Sequence, residues 1–265
     1  MTTAWLARWT VAMGLATLLL LGGCAAAGTI PSAFEQALGP IQPASVDSVF
    51  PAAILEAAAP RRSELLLFDA AHGAESSPSR VQLRIELNER RDSLLLEQRD
   101  ASDRLLQREE YVRAPQGWAL ARSTTPKRAV LTEYVPPMLQ FPRALAPQEP
   151  VERNVQVLVH PLRNPSSLQQ RGRAANRVEF VGQQTVHTAQ GQAIDASLVR
   201  LTFTGVFGLA RVQRVTELWL APRLGVVALR VRERVTALGA LVSAIDQALL
   251  LDRQLEASPT VSTSR

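Results

Sequence analysis

Cysteine is almost absent from this chain of 265 residues, which contains a single one, Cys24. A secreted domain that relies on disulfides needs cysteines in pairs. An intramolecular disulfide framework is therefore excluded, and the fold must be held together by its hydrophobic core. Hydrophobic residues make up 46% of the sequence, which suits one large domain or two small ones.

Residues that commonly carry catalysis are sparse and poorly grouped. The three histidines, His72, His160 and His187, form no His-Glu-x-x-His motif and no pair at metal-ligand spacing, and there is no Gly-x-Ser-x-Gly. Glu109 and Glu110 are adjacent, so on a strand their carboxylates would point to opposite faces. No glycine-rich phosphate loop is present. We therefore expect no enzymatic activity, no cofactor and no metal site.

Lysine is nearly missing as well, since Lys127 is the only one, and arginine supplies almost all of the positive charge. The formal net charge is +5. The main interpretation of this bias is GC-rich codon usage. The alternative is a surface suited to anionic head groups or acidic polymers, because arginine can pair bidentately with phosphate. No basic run is long enough to indicate nucleic-acid binding.

One long apolar run occurs, and it lies at the amino terminus. A single positive charge, Arg8, precedes the apolar residues 11–21, and the small residues Gly22 and Gly23 follow. This order is typical of a secretion signal. The run is too short for a comfortable transmembrane helix, which needs roughly 20 apolar residues.

The end of the run, Leu21-Gly22-Gly23-Cys24, resembles the lipobox of bacterial lipoprotein precursors. The resemblance implies that residues 1–23 are a signal peptide, that Cys24 carries acyl chains, and that these chains hold the protein on a membrane. Ala25 implies sorting to the outer membrane, facing the periplasm. The alternatives are an ordinary signal cleaved near residues 25–27 and an uncleaved anchor.

The next stretch, residues 24–62, is rich in alanine, proline and serine. It predicts a flexible tether, with short helical turns at 32–38 and 52–58 as the only local structure. At the other end of the chain, residues 257–265 are expected to be disordered.

Between these segments, residues 63–256 have the period of two that is typical of β-strands. Val81, Leu83, Ile85 and Leu87 alternate with polar residues. Residues 176–188, 193–204, 212–220 and 226–235 read as long strands joined by short turns, which predicts antiparallel pairing. Prolines at 136–150 favour a connection that lies on the surface or over a barrel mouth. Residues 238–255 fit either a helix or a last strand, and we favour the strand. The expected fold is all-β and mainly antiparallel.

Two motifs in the last third, Gly182-Gln183-Gln184-Thr185-Val186 and Glu217-Leu218-Trp219-Leu220-Ala221-Pro222, resemble those of an uncharacterised family of bacterial periplasmic β proteins. A glutamine, Gln184, stands where that family has glutamate. The resemblance covers about residues 136–236. It implies a curved sheet or half-barrel, similar to the half-barrels of lipoprotein-carrier proteins, which hold acyl chains on a concave apolar face.

The candidate sites follow from this resemblance and from strand periodicity. An apolar wall for a lipid-like ligand would comprise Phe180, Val199, Leu201, Phe203, Trp219, Val227 and Leu229. A row of arginines that could meet an anionic surface comprises Arg230, Arg232 and Arg234, and its simpler interpretation is a solvated outer face. Glu217 is expected to pair with an arginine of a neighbouring strand.

Three functions remain open on this basis. The first is a lipid-anchored protein that binds an apolar or lipid-like ligand, and the second is an envelope scaffold or adaptor that binds another protein. The third, an envelope hydrolase, lacks a recognisable pair of nucleophile and base.

Overall fold

The computed structural model describes residues 32–43, 48–72 and 77–255. Within them, twelve antiparallel strands form a closed barrel in which each strand pairs with its neighbours in sequence. The strands are β1 (Arg61–Asp69), β2 (Ser79–Leu87), β3 (Ser93–Asp100), β4 (Leu105–Ala114), β5 (Gly117–Thr125), β6 (Val130–Pro142), β7 (Val151–Pro161), β8 (Gln170–His187), β9 (Ala193–Phe207), β10 (Ala210–Ala221), β11 (Gly225–Ala237) and β12 (Ala240–Leu255).

The all-β, antiparallel class that the sequence predicts is confirmed. The half-barrel is not, because β12 returns to pair with β1 through eight residues, from Arg62↔Leu255 to Asp69↔Gln247. This pairing satisfies the two edges that a half-barrel would leave open. It also confirms the strand interpretation of residues 238–255.

Successive strands run in opposite directions, so the barrel has two ends with different turns. Turns β2–β3, β4–β5, β6–β7, β8–β9 and β10–β11 lie at one end, which we call the proximal end. The distal end carries the other turns, among them the β9–β10 turn at Gly208-Leu209 and the β11–β12 turn at Leu238-Gly239.

Two helices precede the barrel in the stretch predicted to be a tether. Helix α1 (Ser32–Gln36) lies on the outside of the barrel, where Phe34 is fully buried. Helix α2 (Pro51–Ala58) places Leu55 and Ala58 in the core at the proximal end, next to Gly225. Between them, Leu38 and Gln42 bridge to Val186 and Gln183 of β8.

The prediction of a flexible tether over 24–62 is therefore wrong for residues 32–43 and 48–60, which pack on the barrel. The reason is that Phe34, Val49 and Leu55 of these segments are buried against the barrel. Residues 24–31 and the predicted tail 257–265 lie outside the described residues, as do Cys24 and the predicted signal peptide. The barrel itself begins at Arg61 and ends at Leu255, close to the predicted 63–256.

The predicted surface connection over 136–150 is partly strand. Residues through Pro142 continue β6 and pair with β5, for example Met138↔Leu120 and Phe141↔Trp118. On its other side β6 stops pairing with β7 at Val135↔Gln156. Pro136 and Pro137 lack the amide donor that the next ladder positions need.

Candidate functional site

The interior of the barrel is the first place to look for a ligand site, and it holds a belt of polar side chains. Gln107, Glu109 and Tyr111 alternate along β4 and point inward. Gln107 Nε2 donates to Glu109 Oε1 at 2.9 Å. The Tyr111 hydroxyl lies 2.7 Å from Glu109 Oε2 and 2.8 Å from Gln140 Oε1 of β6.

Burial sets the protonation state of Glu109, the carboxyl group in this belt. Loss of hydration raises the pKa of Glu109 to about 8, against the opposing effects of the Tyr111 hydroxyl, the Arg214 charge and Gln107. Tyr111 has one phenolic proton but two acceptor oxygens beside it, so it can donate to only one of them. A protonated Glu109 resolves this, because it donates to the Tyr111 oxygen while Tyr111 donates to Gln140. We conclude that Glu109 is a neutral acid at pH 7.

A buried ion pair faces Glu109 from the opposite wall. Arg214 of β10 and Glu233 of β11 are register partners, and Arg214 Nε donates to Glu233 Oε2 at 2.8 Å. Arg128, from the turn between β5 and β6, is close enough for its charge to interact with both; burial lowers the pKa of Arg128 to about 10. Strands β4 and β10 are opposite each other in the closed order, and the Arg214 charge is near enough to Glu109 to oppose the rise of its pKa.

Large side chains fill both ends of the barrel. At the distal end, the Phe207 ring lies against Gly172 and Gly205, where any added Cβ would overlap it. At the proximal end, Leu55 of α2 is fully buried in the same core cluster. Both ends of the described barrel are thus occupied by its own side chains.

The seven residues of the predicted apolar wall do not share one surface. Phe180, Val199, Leu201, Phe203 and Leu229 belong to the interior cluster. Trp219 and Val227 belong to a second cluster on the outside of the sheet, beneath α1.

A β-bulge explains why Val227 is on the outside. Trp219 pairs with Ala228 and Leu220 with Val226, so Val227 is an extra residue that shifts the alternation. Trp219 points outward next to inward Leu218, and its ring packs edge-on against Phe34 at 5.9 Å. Its Nε1 donates to Gln184 Oε1 at 2.7 Å.

The predicted arginine row does lie on the outer face of β11, but two of its members are engaged by carboxylates. Arg230 forms a bidentate pair with Asp246, at 3.0 and 2.9 Å, and also reaches Glu35 of α1 at 2.6 Å. Arg232 contacts Glu217 at 3.0 Å. Arg234 is exposed.

Glu217 does pair with arginines of the neighbouring strands, as predicted, and it is part of a longer ladder. Alternating charges cross the outer face from β7 to β11 at distances of 2.9–3.3 Å, in the order Glu152, Arg177, Glu179, Arg200, Glu217, Arg232. Because each charge in the middle has two opposite partners, this face is electrostatically satisfied and offers little to an anionic ligand.

Two shallow grooves lie side by side on the same face, nearer the distal end. Both are lined by Asn154, Ala175 and Thr204, which are register partners on β7, β8 and β9. The small side chain of Ala175 forms the floor. The sequence did not indicate these grooves, because the residues of one strand do not show which residues of the neighbouring strands lie beside them.

The described residues contain no cluster of three metal-binding side chains. His160 is held by the Ser167 carbonyl at 3.1 Å and lies 3.7 Å from Glu133, and His187 is exposed. In the same part of the chain, no helix has the length and hydrophobicity to cross a membrane.

No protein-family model matches the chain, and no curated protein matches it significantly. Solved structures similar in fold include a candidate lipoprotein from Parabacteroides distasonis (11% identity, 73% of this chain and 94% of that one, TM-score 0.40). A candidate exported protein from Bacteroides fragilis with a YmcC-like fold is 13% identical, over 82% of this chain and 99% of that one (TM-score 0.38). The hypothetical lipoprotein YmcC from Escherichia coli is also 13% identical, over 74% and 89% (TM-score 0.36). These similarities concern the course of the chain and carry no ligand or activity over to it.

Proposed function

We propose that this chain is a lipid-anchored protein of the bacterial envelope that acts as a non-catalytic scaffold, binding another envelope component through its outer surface. The lipobox-like Leu21-Gly22-Gly23-Cys24 supports the anchor, with acyl chains on Cys24. Ala25 favours the outer membrane as its location. No cofactor is part of the proposal.

The observation that carries the scaffold role is the packed interior. A carrier needs space for acyl chains, yet the buried polar side chains of Glu109 and Arg214 lie inside the barrel, and Phe207 and Leu55 occupy its two ends. The most chemically unusual group, Glu109, is only 1% exposed, which supports a non-catalytic role. Rigidity and an outward-facing groove suit a protein that holds a partner.

Native mass spectrometry separates the scaffold from the lipid carrier. The chain from Ala25 to Arg265, purified without detergent and offered phospholipid and fatty acid, is expected to carry neither inside the barrel. A stoichiometric lipid that survives gentle ionisation and is lost in Phe180→Trp, which would fill interior space, would overturn the scaffold proposal in favour of an apolar ligand.

The anchor and the partner need separate experiments. Cys24→Ala should abolish incorporation of labelled palmitate and allow a high-salt wash to release the protein from the membrane fraction. A photo-crosslinking amino acid at Ala175 should capture a discrete envelope protein, while the same group at exposed Val112 of β4, outside the grooves, should not. Equal capture at both positions would contradict a partner site in the groove.

A further inference from the structure

The distal end of the barrel exposes a group of aliphatic side chains that the core does not use. Leu209 is 71% exposed, Leu238 75%, Leu241 61%, Val242 54% and Val206 48%. We call these five residues the distal rim. They lie on the two adjacent turns β9–β10 and β11–β12, whose tips are joined by a hydrogen bond from Leu238 N to Leu209 O at 3.4 Å.

Leu238, at the tip of its turn, has a backbone conformation that is unfavourable for leucine. Its φ is 53° and that of Gly239 is 81°, the left-handed conformation in which a two-residue hairpin turn favours asparagine, aspartate or glycine. A leucine is strained there, and its exposed side chain gains no packing in return. A residue that costs stability and leaves three quarters of its surface exposed points to a role outside the fold.

The two rows of outer-face residues next to the rim contain arginines and no acid. One row of register partners across β8–β12 reads Arg173, Val206, Arg211, Thr236, Leu241, and the next reads Ala175, Thr204, Gln213, Arg234, Ala244. Among the described residues, no hydrogen bond or ion pair engages the side chains of Arg173, Arg211 or Arg234. The charge ladder that satisfies the other arginines begins only in the following row, at Arg177 and Arg232.

We propose that the distal rim and its three flanking arginines dock on the surface of an anionic phospholipid bilayer. The aliphatic side chains of the rim enter the boundary between head groups and acyl chains. The guanidinium groups, which lie on the strands behind the turns, meet the phosphates. An acidic protein surface could use the same arginines, but projecting leucines at turn tips suit a fluid layer better than a preformed pocket.

The reach of the amino terminus is compatible with this orientation. Glu35 of α1 is paired with Arg230, which is eight residues along β11 from the tip at Leu238, or about 26 Å. The eight residues from Cys24 to Ser32 can span at most about 28 Å. An acylated Cys24 could therefore enter the same bilayer as the rim. This reach depends on the proposed anchor, whereas the rim's own affinity for lipid does not.

The chain from Ala25 to Arg265 retains every described residue and contains no cysteine. A single introduced cysteine is therefore its only thiol-labelling site. Leu238→Cys labelled with an environment-sensitive fluorophore should shift to shorter wavelength with vesicles of phosphatidylglycerol and phosphatidylcholine, and much less with phosphatidylcholine alone. Phe50→Cys, at an exposed position beside α2 at the other end, is the matched control and should not shift. No shift at 238, or equal shifts at both positions, would overturn the proposal.

Charge and apolar contributions can then be separated by co-sedimentation. Arg211→Gln with Arg234→Gln should weaken binding to anionic vesicles about 30-fold, since about 1 kcal/mol per arginine corresponds to about 5-fold each. Arg90→Gln with Arg143→Gln, exposed at the proximal end, should leave it unchanged. Leu238→Asn should lower binding while preserving or raising thermal stability, because asparagine suits the turn. If the double arginine variant or Leu238→Asn binds vesicles as the wild type does, the docking surface is refuted. The anchor and scaffold proposals do not depend on this result.

Discussion

The Tyr111 hydroxyl lies 2.7 Å from Glu109 Oε2 inside the barrel, a contact that a protonated Glu109 can make as donor while Tyr111 donates to Gln140. Burial raises the pKa of Glu109 to about 8, well above its value of about 4.5 in an unfolded chain. The folded state therefore holds a proton that the unfolded state has lost between these pH values. This single group makes the protein less stable as pH rises from about 4.5 to 8, with the loss complete above that range.

Glu109→Gln should remove this pH dependence. Glutamine keeps the shape and the donor that Tyr111 requires, so the variant should match the wild type at pH 5. At pH 8 it should be more stable by a few kcal/mol, because the wild type then bears the cost of a buried charge or a retained proton. Urea unfolding at the two pH values measures the difference. A constant gap between the proteins across the range would contradict a raised pKa.

The ion pair between Arg214 and Glu233 should be costly to break but not to replace. Arg214→Met leaves the Glu233 carboxylate without its bidentate partner in the interior and should reduce the free energy of unfolding by about 3–5 kcal/mol. Adding Glu233→Leu should recover most of that loss, since an apolar pair of similar volume has no desolvation penalty. If the double variant is as unstable as the single one, the pair has a structural role beyond charge neutralisation.

Docking of α1 on the barrel can be measured through Trp219. Phe34 is fully buried against Trp219 and Phe68, so Phe34→Ala should cost about 3 kcal/mol of stability and shift tryptophan emission toward that of exposed indole. Phe50→Ala is the control, because Phe50 is 52% exposed and its loss should cost less than about 0.5 kcal/mol. Identical effects would mean that α1 does not protect Trp219.

Packing of the Phe207 ring at the distal end of the barrel depends on Gly172. In Gly172→Ala the added methyl would overlap the Phe207 ring, which should cost about 1–3 kcal/mol through overpacking. Phe207→Leu frees space on the same side, so the double variant should lose less than the sum of the two single variants. Thermal unfolding of the four proteins gives the coupling, and strict additivity would show that the two residues do not compete for volume.

The sequence determined the parts of this protein that local chemistry controls. Alternation such as Val81, Leu83, Ile85 gave strands with one buried face, and glycine-containing turns gave antiparallel neighbours. The pairing of Glu217 with arginines followed from strand geometry in the same way. These features depend on residues that are close along the chain or on the next strand.

Only the tertiary structure decided closure, the facing of particular side chains, and the fate of the amino-terminal segment. One extra residue in β11 moved Val227 to the outside, which periodicity cannot anticipate because a bulge has no strong local signature. The pairing of β1 with β12 joins residues about 190 positions apart, as in Arg62↔Leu255, and it turned a predicted half-barrel into a closed, filled one. Phe34 and Leu55 gained their burial from surfaces that exist only after the barrel has formed. Local sequence fixes how each strand is built, whereas what fills the space between strands depends on the sum of all their side chains.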